Sequence, residues 1–222
     1  MMQGVRLLNK AQMTTTHEVL LPLFSSMAQT TKRYRTIVAD PPWPPLHQAA
    51  RRYDGQINEH NAYPTMSTQE IANTPVGLWA EESAHLYLWA LNSNLEEAHR
   101  IVRQWGFEPK TIVTWVKGRI ENGRVVSHIG LGYYWRNATD HIIFATRNNL
   151  KTKREDVANF FIAPRTVHSE KPAIFYDLVE QMSPGPYLDV FARVQRMRWD
   201  TFGDESFDFR TNAHWHKPIA DQ

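Results

Sequence analysis

Thr36-Ile37-Val38-Ala39-Asp40-Pro41-Pro42-Trp43 is an apolar run cut off by an acid, two prolines and a tryptophan. Ile37 and Val38 favour a pleated, buried backbone. Consecutive prolines neither donate to a sheet nor continue a helix, so the chain must leave the sheet at Asp40. The acid is thereby held at a strand end, where open α/β sheets form their ligand crevice. An ionised Asp40 only accepts hydrogen bonds, Pro41 adds a carbonyl without a competing N–H, and Trp43 adds a flat face. This set complements an exocyclic amine on a heteroaromatic ring. Holding both amine hydrogens takes the nitrogen lone pair out of ring conjugation and aims it at an electrophile. The same four residues also suit a proline-rich turn whose aspartate merely caps, so the rest of the chain has to decide.

The 222 residues, with ordinary apolar content, suit one α/β domain over 31–205, a loose N-terminal arm over 1–30 and a tail over 206–222. With no cysteine, disulfides, thiolate nucleophiles and Cys-ligated zinc are excluded, a reducing, intracellular setting is allowed, and a soluble cytoplasmic protein is expected. Val19 to Phe24 is too short and too proline-broken for a membrane span, so no membrane partner is expected. Net charge is only +2, yet basic residues gather beside aromatics at Lys32-Arg33-Tyr34-Arg35, at Arg51-Arg52-Tyr53, around Lys151 to Arg154, and at Arg193, Arg196 and Arg198. Such patches fit nucleic-acid backbones, and equally a solvated surface. His214 and His216 lack a third nearby ligand, so no metal is expected.

Residues 44–66 form a long unpatterned loop of the kind that carries function. Ser67 or Thr68 caps a short helix ending before Pro75. His85 to Ala90 reads as a buried strand, Asn92 or Ser93 caps a helix with Leu95, Ala98, Ile101, Val102 and Trp105 at helical spacing, and Gly106 ends it. Thr111 to Val116 completes a βαβ pattern, and Lys117-Gly118-Arg119 to Gly123 looks like a turn. In the loop from His128 to Asn137, Gly130 and Gly132 permit close backbone approach, Tyr133, Tyr134 and Trp135 offer stacking faces, and Arg136 and Asn137 offer donors. A buried aromatic corner is the plainer alternative. Asp140 to Thr146 and Val157 to Ala163 read as strands, separated by a mobile basic segment over 148–156. Ser169 caps a helix with Pro172 in its first turn, Tyr187 to Arg193 is a strand carrying Asp189, and Trp199 to Phe202 is a last short strand. An acid on such a strand suits ribose hydroxyls or an α-ammonium group, or a salt bridge to Arg193.

These motifs, with Tyr63-Pro64-Thr65-Met66, Leu88-Trp89, Trp115-Val116-Lys117, Gly130-Leu131-Gly132-Tyr133, His168-Ser169-Glu170-Lys171-Pro172, Leu188 to Arg193 and Trp199-Asp200-Thr201-Phe202-Gly203, resemble in their order the mRNA N6-adenosine methyltransferase seventy-kilodalton-subunit family. That family includes small bacterial and phage DNA-adenine methyltransferases, and the resemblance covers roughly residues 34–205. It implies a Rossmann-like α/β methyltransferase fold with a mixed, mostly parallel sheet flanked by helices, and S-adenosylmethionine as cofactor. By the same resemblance Asp40, Pro41, Pro42 and Trp43 are the catalytic set. Asp40, Lys171, Asp189, Phe191, Arg193, Asp204 and Glu205 hold the cofactor. Trp43, Tyr53, Arg136, Asn137, Asp140 and Lys171 meet the adenine substrate. The family usually has glutamate at Asp140 and often at Asp189, and commonly asparagine at Asp204.

The expected reaction is in-line methyl transfer to adenine N6 in nucleic acid, DNA before RNA, with short or relaxed sequence specificity or help from a partner. A homo- or heterodimer is compatible with the family. The rival readings are a non-catalytic nucleic-acid-binding subunit and an enzyme methylating a small-molecule amine.

Overall fold

The computed structural model describes residues 31–44, 65–130, 134–165, 170–192 and 194–202. Tyr53, Arg193, Asp204 and Glu205 lie outside the described residues, as do Tyr63, Pro64, Leu131 to Tyr133, His168 and Ser169. The same holds for the expected arm, the tail and nearly all of the loop at 44–66.

The decisive stretch forms β1 (Tyr34–Ala39), in which Thr36, Ile37, Val38 and Ala39 have no exposed surface. Helices α1 (Thr68–Asn73) and α2 (Val76–Trp79) lead to β2 (Ala80–Ala90). A 3₁₀ turn at Asn92–Asn94 and α3 (Leu95–Gln104) precede β3 (Glu108–Glu121), β4 (Arg124–Ser127), β5 (Thr139–Arg147) and β6 (Phe160–Ala163). Helix α4 (Ala173–Met182), β7 (Tyr187–Val190) and β8 (Trp199–Phe202) complete the described elements. The sheet order is β4-β3-β5-β2-β1-β7-β8, with β6 also paired to β3. Pairs β1–β2, β1–β7, β3–β6 and β7–β8 are parallel, and β2–β5, β3–β4 and β3–β5 are antiparallel. The expected mixed, mostly parallel α/β sheet is therefore present.

From Ala84 to Ala90 both faces of β2 are buried, which is why that stretch shows no polar–apolar alternation. Tyr87 and Trp89 pack with Phe175, Tyr176 and Val179 of α4 on one face. The alternate residues Leu86, Leu88 and Ala90 are equally buried, and α3, which contacts β2, buries its Ala98, Ile101 and Val102. Ser67 caps α1 through a reciprocal box, its hydroxyl accepting from the Glu70 N–H while the Glu70 carboxylate accepts from the Ser67 N–H.

Several boundaries differ from the sequence reading. The segment Lys117 to Glu121 is strand, and the reversal is confined to Asn122-Gly123, both at positive φ (50° and 72°). That dipeptide is a strong two-residue hairpin signal, and it was available in the sequence. Strand β5 inserts between β2 and β3, so the βαβ unit is split by an antiparallel strand. Helix α3 begins at Leu95 after the 3₁₀ turn, with Asn94 at the cap position and no side-chain capping bond. Helix α4 begins at Ala173, with Pro172 at its cap rather than in its first turn. Strand β6 is confined to Phe160–Ala163, and β7 ends at Val190, where Phe191 turns away at φ 65°. The polar, basic segment 148–156 reads as mobile. It is tied instead by the Lys153 N–H to the Met182 carbonyl at 2.8 Å, and by the Lys153 ammonium to the Glu180 carbonyl.

Gly106 ends α3 at φ 83°, and a Cβ there would lie 2.8 Å from the Arg147 guanidinium. Arg147 donates to the carbonyls of Gly77, Trp105 and Gly106, joining the end of β5 to both helical segments on that side. Replacing Arg147 with leucine strands three acceptors. It is expected to lower unfolding free energy by about 2–3 kcal/mol in urea titration, with the denaturant slope unchanged.

Candidate functional site

Strand β1 lies between two parallel neighbours, and the chain leaves it toward β2 on one side before returning to β7 on the other. The carboxyl ends of β1 and β7 therefore meet at a topological switch point, where such sheets bind ligands. Asp40 donates its N–H to the Val190 carbonyl at 3.2 Å, carrying the ladder one residue past β1. Pro41 and Pro42 then end it. The Trp43 N–H closes a tight turn on the Pro41 carbonyl at 2.8 Å, and the Met66 N–H reaches the Pro42 carbonyl at 2.9 Å. The Trp43 indole N–H donates to the Trp89 carbonyl at 2.8 Å, and the ring is 9% exposed. Trp43 thus anchors its loop to β2. One lone pair of the Pro41 carbonyl is used within the turn, and a carbonyl has a second to offer.

The Asp40 carboxylate meets the Lys171 ammonium at 2.9 Å, and that ammonium sits 4.6 Å above the centre of the Trp89 ring. Trp89 is wedged edge-to-face against Phe175 at 4.7 Å and Trp115 at 6.0 Å. The acid at the end of β1 and the lysine before α4 are therefore brought together on one indole.

Asp40 and Lys171 line a crevice with Glu170, Tyr176, Asp189, Phe191, Ala192, Val194 and Arg196. Asp189, on β7, is 2% exposed and accepts from the Tyr176 hydroxyl at 2.8 Å. Burial pushes its carboxyl from 3.8 up to about 7, with Asp40 adding to the rise and the Tyr176 bond, Arg196 and Lys171 opposing it. Burial, and then the charge of Asp189, raise the Tyr176 hydroxyl well above its ordinary value, so it remains a donor. Arg196 lays its guanidinium 3.7 Å from the centre of the Tyr176 ring, and its buried Nε has no hydrogen-bond partner among the described residues.

On the other side of β2, Asp140 is 9% exposed and paired with Lys117 at 2.7 Å. Its neighbour Asn137 accepts the Gly130 N–H on its backbone carbonyl at 2.8 Å, closing the loop between β4 and β5. Arg136 and Asn137 are exposed. Tyr134 and Trp135 are 99% and 91% exposed, which overturns a buried corner for these two rings. Tyr176 and Arg196 escaped the sequence reading as site residues. Tyr176 sits within an apolar helix, and Arg196 was legible only as part of a basic cluster. Only packing sets either beside Asp189.

Residues 34–205 match the MT-A70 family. The chain belongs to that family. MT-A70 proteins are methyltransferases that use S-adenosylmethionine as methyl donor. Among relatives, the chain is 26% identical to a type II methyltransferase, M.MunI, of a Mycoplasma species, over 78% of each chain. It is 28% identical to the N6-methyladenosine RNA methyltransferase MTA1 of Cryphonectria parasitica, over 81% of this chain and 53% of that one. It is 22% identical to the human N(6)-adenosine-methyltransferase catalytic subunit METTL3, over 78% of this chain and 28% of that one. The chain thus spans about half of MTA1 and just over a quarter of METTL3.

The polar groups lining the crevice are chemically suited to the MT-A70 cofactor. S-adenosylmethionine carries a ribose diol, an α-ammonium, an α-carboxylate and a sulfonium. The crevice offers carboxylates at Asp40, Asp189 and Glu170 for donors and cations, and Lys171 and the unpartnered Arg196 Nε for a carboxylate or hydroxyl oxygen. A buried acceptor such as Asp189 suits the ribose diol, whose hydroxyls can donate to its remaining lone pairs.

Holding Asp189 in this crevice has a measurable cost. Below about pH 4 the carboxyl is neutral folded and unfolded. As pH rises toward 7 only the unfolded chain gives up the proton, so stability falls and stays lower above 7. A rise from 3.8 to about 7 corresponds to roughly 4 kcal/mol. Asp189→Asn is expected to flatten the stability profile between pH 4 and 7, and to raise stability at pH 8 while weakening cofactor binding, read by urea titration and calorimetry.

Proposed function

We propose that this protein transfers the methyl group of S-adenosylmethionine to the exocyclic N6 amine of adenine in nucleic acid, DNA before RNA. The observation that carries the reading is the Asp40 carboxylate, fixed at a strand end beside Lys171 and sharing its crevice with Asp189. It provides an acceptor for an amine hydrogen next to a place for the cofactor. The N6-methyladenosine and N(6)-adenosine named in MTA1 and METTL3 support the acceptor atom. DNA is put before RNA because the chain matches the small type II methyltransferase over 78% of both chains, whereas it spans about half of the RNA methyltransferase MTA1 and just over a quarter of METTL3.

When bound, S-adenosylmethionine supplies a methyl group activated by sulfonium. The chain's own part is positional. Asp40 and the free lone pair of the Pro41 carbonyl hold the amine hydrogens and turn the nitrogen lone pair out of conjugation. The pinned turn from Pro41 to Trp43 keeps both acceptors in place. The nitrogen so presented would take up that methyl group, the donor's bonding pair would stay on sulfur, and the amine proton would pass to solvent. In a duplex the adenine must leave the stack, at a cost of about a few kcal/mol. Stacking at roughly 1–3 kcal/mol per base on exposed rings such as Tyr134 and Trp135 offsets much of it.

The test is methyl transfer from labelled S-adenosylmethionine to duplex DNA, single-stranded DNA and RNA, followed by nucleoside analysis. N6-methyladenine is expected in DNA, with the rate reduced at least 10²-fold in Asp40→Ala, the scale of losing one positioned polar group. Cofactor binding without label in any polymer would overturn the reading in favour of a binding subunit. Turnover of a free amine without a polynucleotide would favour a small-molecule enzyme.

A further inference from the structure

The arrangement that holds Asp40 occurs a second time in the site. Lys171 bridges the Asp40 carboxylate at 2.9 Å and the Trp89 ring at 4.6 Å. Lys117 bridges the Asp140 carboxylate at 2.7 Å and the Trp115 ring at 5.3 Å. The two indoles touch at 6.0 Å and 85°, so both lysine–aspartate pairs rest on one two-ring platform. The indole N–H of Trp115 is tied to the Ala163 carbonyl at 2.9 Å, and its ring stacks parallel to Phe161. Neither ring is free to follow an ammonium group.

The register places these groups on one face. Asp40 lies one residue beyond the Ala39–Leu88 pair, level with Trp89, and Asp140 pairs with Trp115 across β3–β5. Strands β1 and β5 flank β2, and Trp89 pairs with Ile142, two residues along from Asp140, so the two aspartates stand two strand spacings apart with a two-residue offset, roughly 12 Å at the backbone. One ligand with polar groups at both ends can bridge them. The ion pairs are also alike in exposure, with side chains 14% and 17% exposed in the first and 16% and 12% in the second. Each is therefore partly desolvated yet open to a ligand.

Lys117 is locked as firmly as its ring. Its N–H donates to the Ala138 carbonyl at 2.8 Å, its carbonyl accepts from the His128 N–H at 2.6 Å, and it pairs with Ala163 of β6. It grips the chain on both sides of Thr139, through the backbone at Ala138 and through its ammonium at Asp140. That short segment carries Asn137 and Asp140.

Resting on the adenine-methylating reading above, we propose that Lys117, seated on Trp115, is the positioning residue of the acceptor side, fixing the Asp140 carboxylate for the far edge of the adenine nucleoside as Lys171, seated on Trp89, fixes Asp40. Lys117 then acts through Asp140 and not on the reacting atoms. A lysine held merely to complete the fold would matter for stability alone. Removing one member of a buried pair strands the other, whereas removing both restores a neutral interior.

The experiment compares Lys117→Met, Asp140→Asn and the double variant in full-length protein, reading thermal midpoint, cofactor affinity and methyl transfer to adenine-containing DNA and RNA. Lys117→Met is expected to lower kcat/KM for the polynucleotide at least tenfold, with cofactor affinity within twofold of the unsubstituted protein. The double variant is expected to recover its thermal midpoint and yet remain as slow as Asp140→Asn alone, because the two residues form one unit. Activity within twofold in Lys117→Met, or losses that multiply in the double variant, would overturn the positioning role while leaving the adenine reading intact. Absence of methyl transfer by the unsubstituted protein would overturn both.

Discussion

The site depends on a forced exit. A central strand buried on every side can end only where its backbone stops offering partners, and Pro41-Pro42 removes two donors at once. Asp40 is the last residue whose N–H joins the sheet, through the Val190 carbonyl, and its carboxylate therefore sits at the junction of β1 and β7. The turn is then fixed by what the tetrapeptide still has to donate: the Trp43 backbone N–H goes to Pro41 and its indole N–H to Trp89. A substrate amine would meet an acceptor that does not have to be ordered on binding, the condition under which positioning contributes most to rate.

Around that exit the interior is aromatic rather than aliphatic. Trp89 meets Phe175 and Trp115 in T-shaped contacts and Lys171 on its face, and its carbonyl holds Trp43. Rigid rings serve here because their geometry has few degrees of freedom and their faces carry partial negative charge that suits an ammonium. Charged groups can stand close to the core while the rings beneath them do the packing.

Asp189 shows the opposite compromise. A carboxyl 2% exposed beside Tyr176 destabilises the folded state at neutral pH. Strongly raised carboxyls of this kind gather where a ligand will use them. The Arg196 Nε on the same crevice is a second buried polar group, without a hydrogen-bond partner among the described residues. A polar cofactor with donors and acceptors of its own would satisfy both.

Much of this was readable from local chemistry. Proline placement fixed the end of β1, the apolar runs located β2, β5 and β7, and Ser67 with Glu70 marked the start of α1, because each depends on backbone donors or burial within a few residues. Motif order supplied the family. Asn122-Gly123 is legible too, but Lys117-Gly118-Arg119 beside it carries so little strand signal that the turn reads longer than it is. What the sequence could not show was which distant groups share a space. The split of the βαβ unit by β5, the seating of Lys171 and Lys117 on Trp89 and Trp115, and the burial of Asp189 against Tyr176 and Arg196 are all set by strand order and packing. The sequence alone determined the chemistry available at each strand end. Tertiary structure decided which of those groups meet, because contacts between residues scores of positions apart are chosen by the sheet's register and by the volume left between rings.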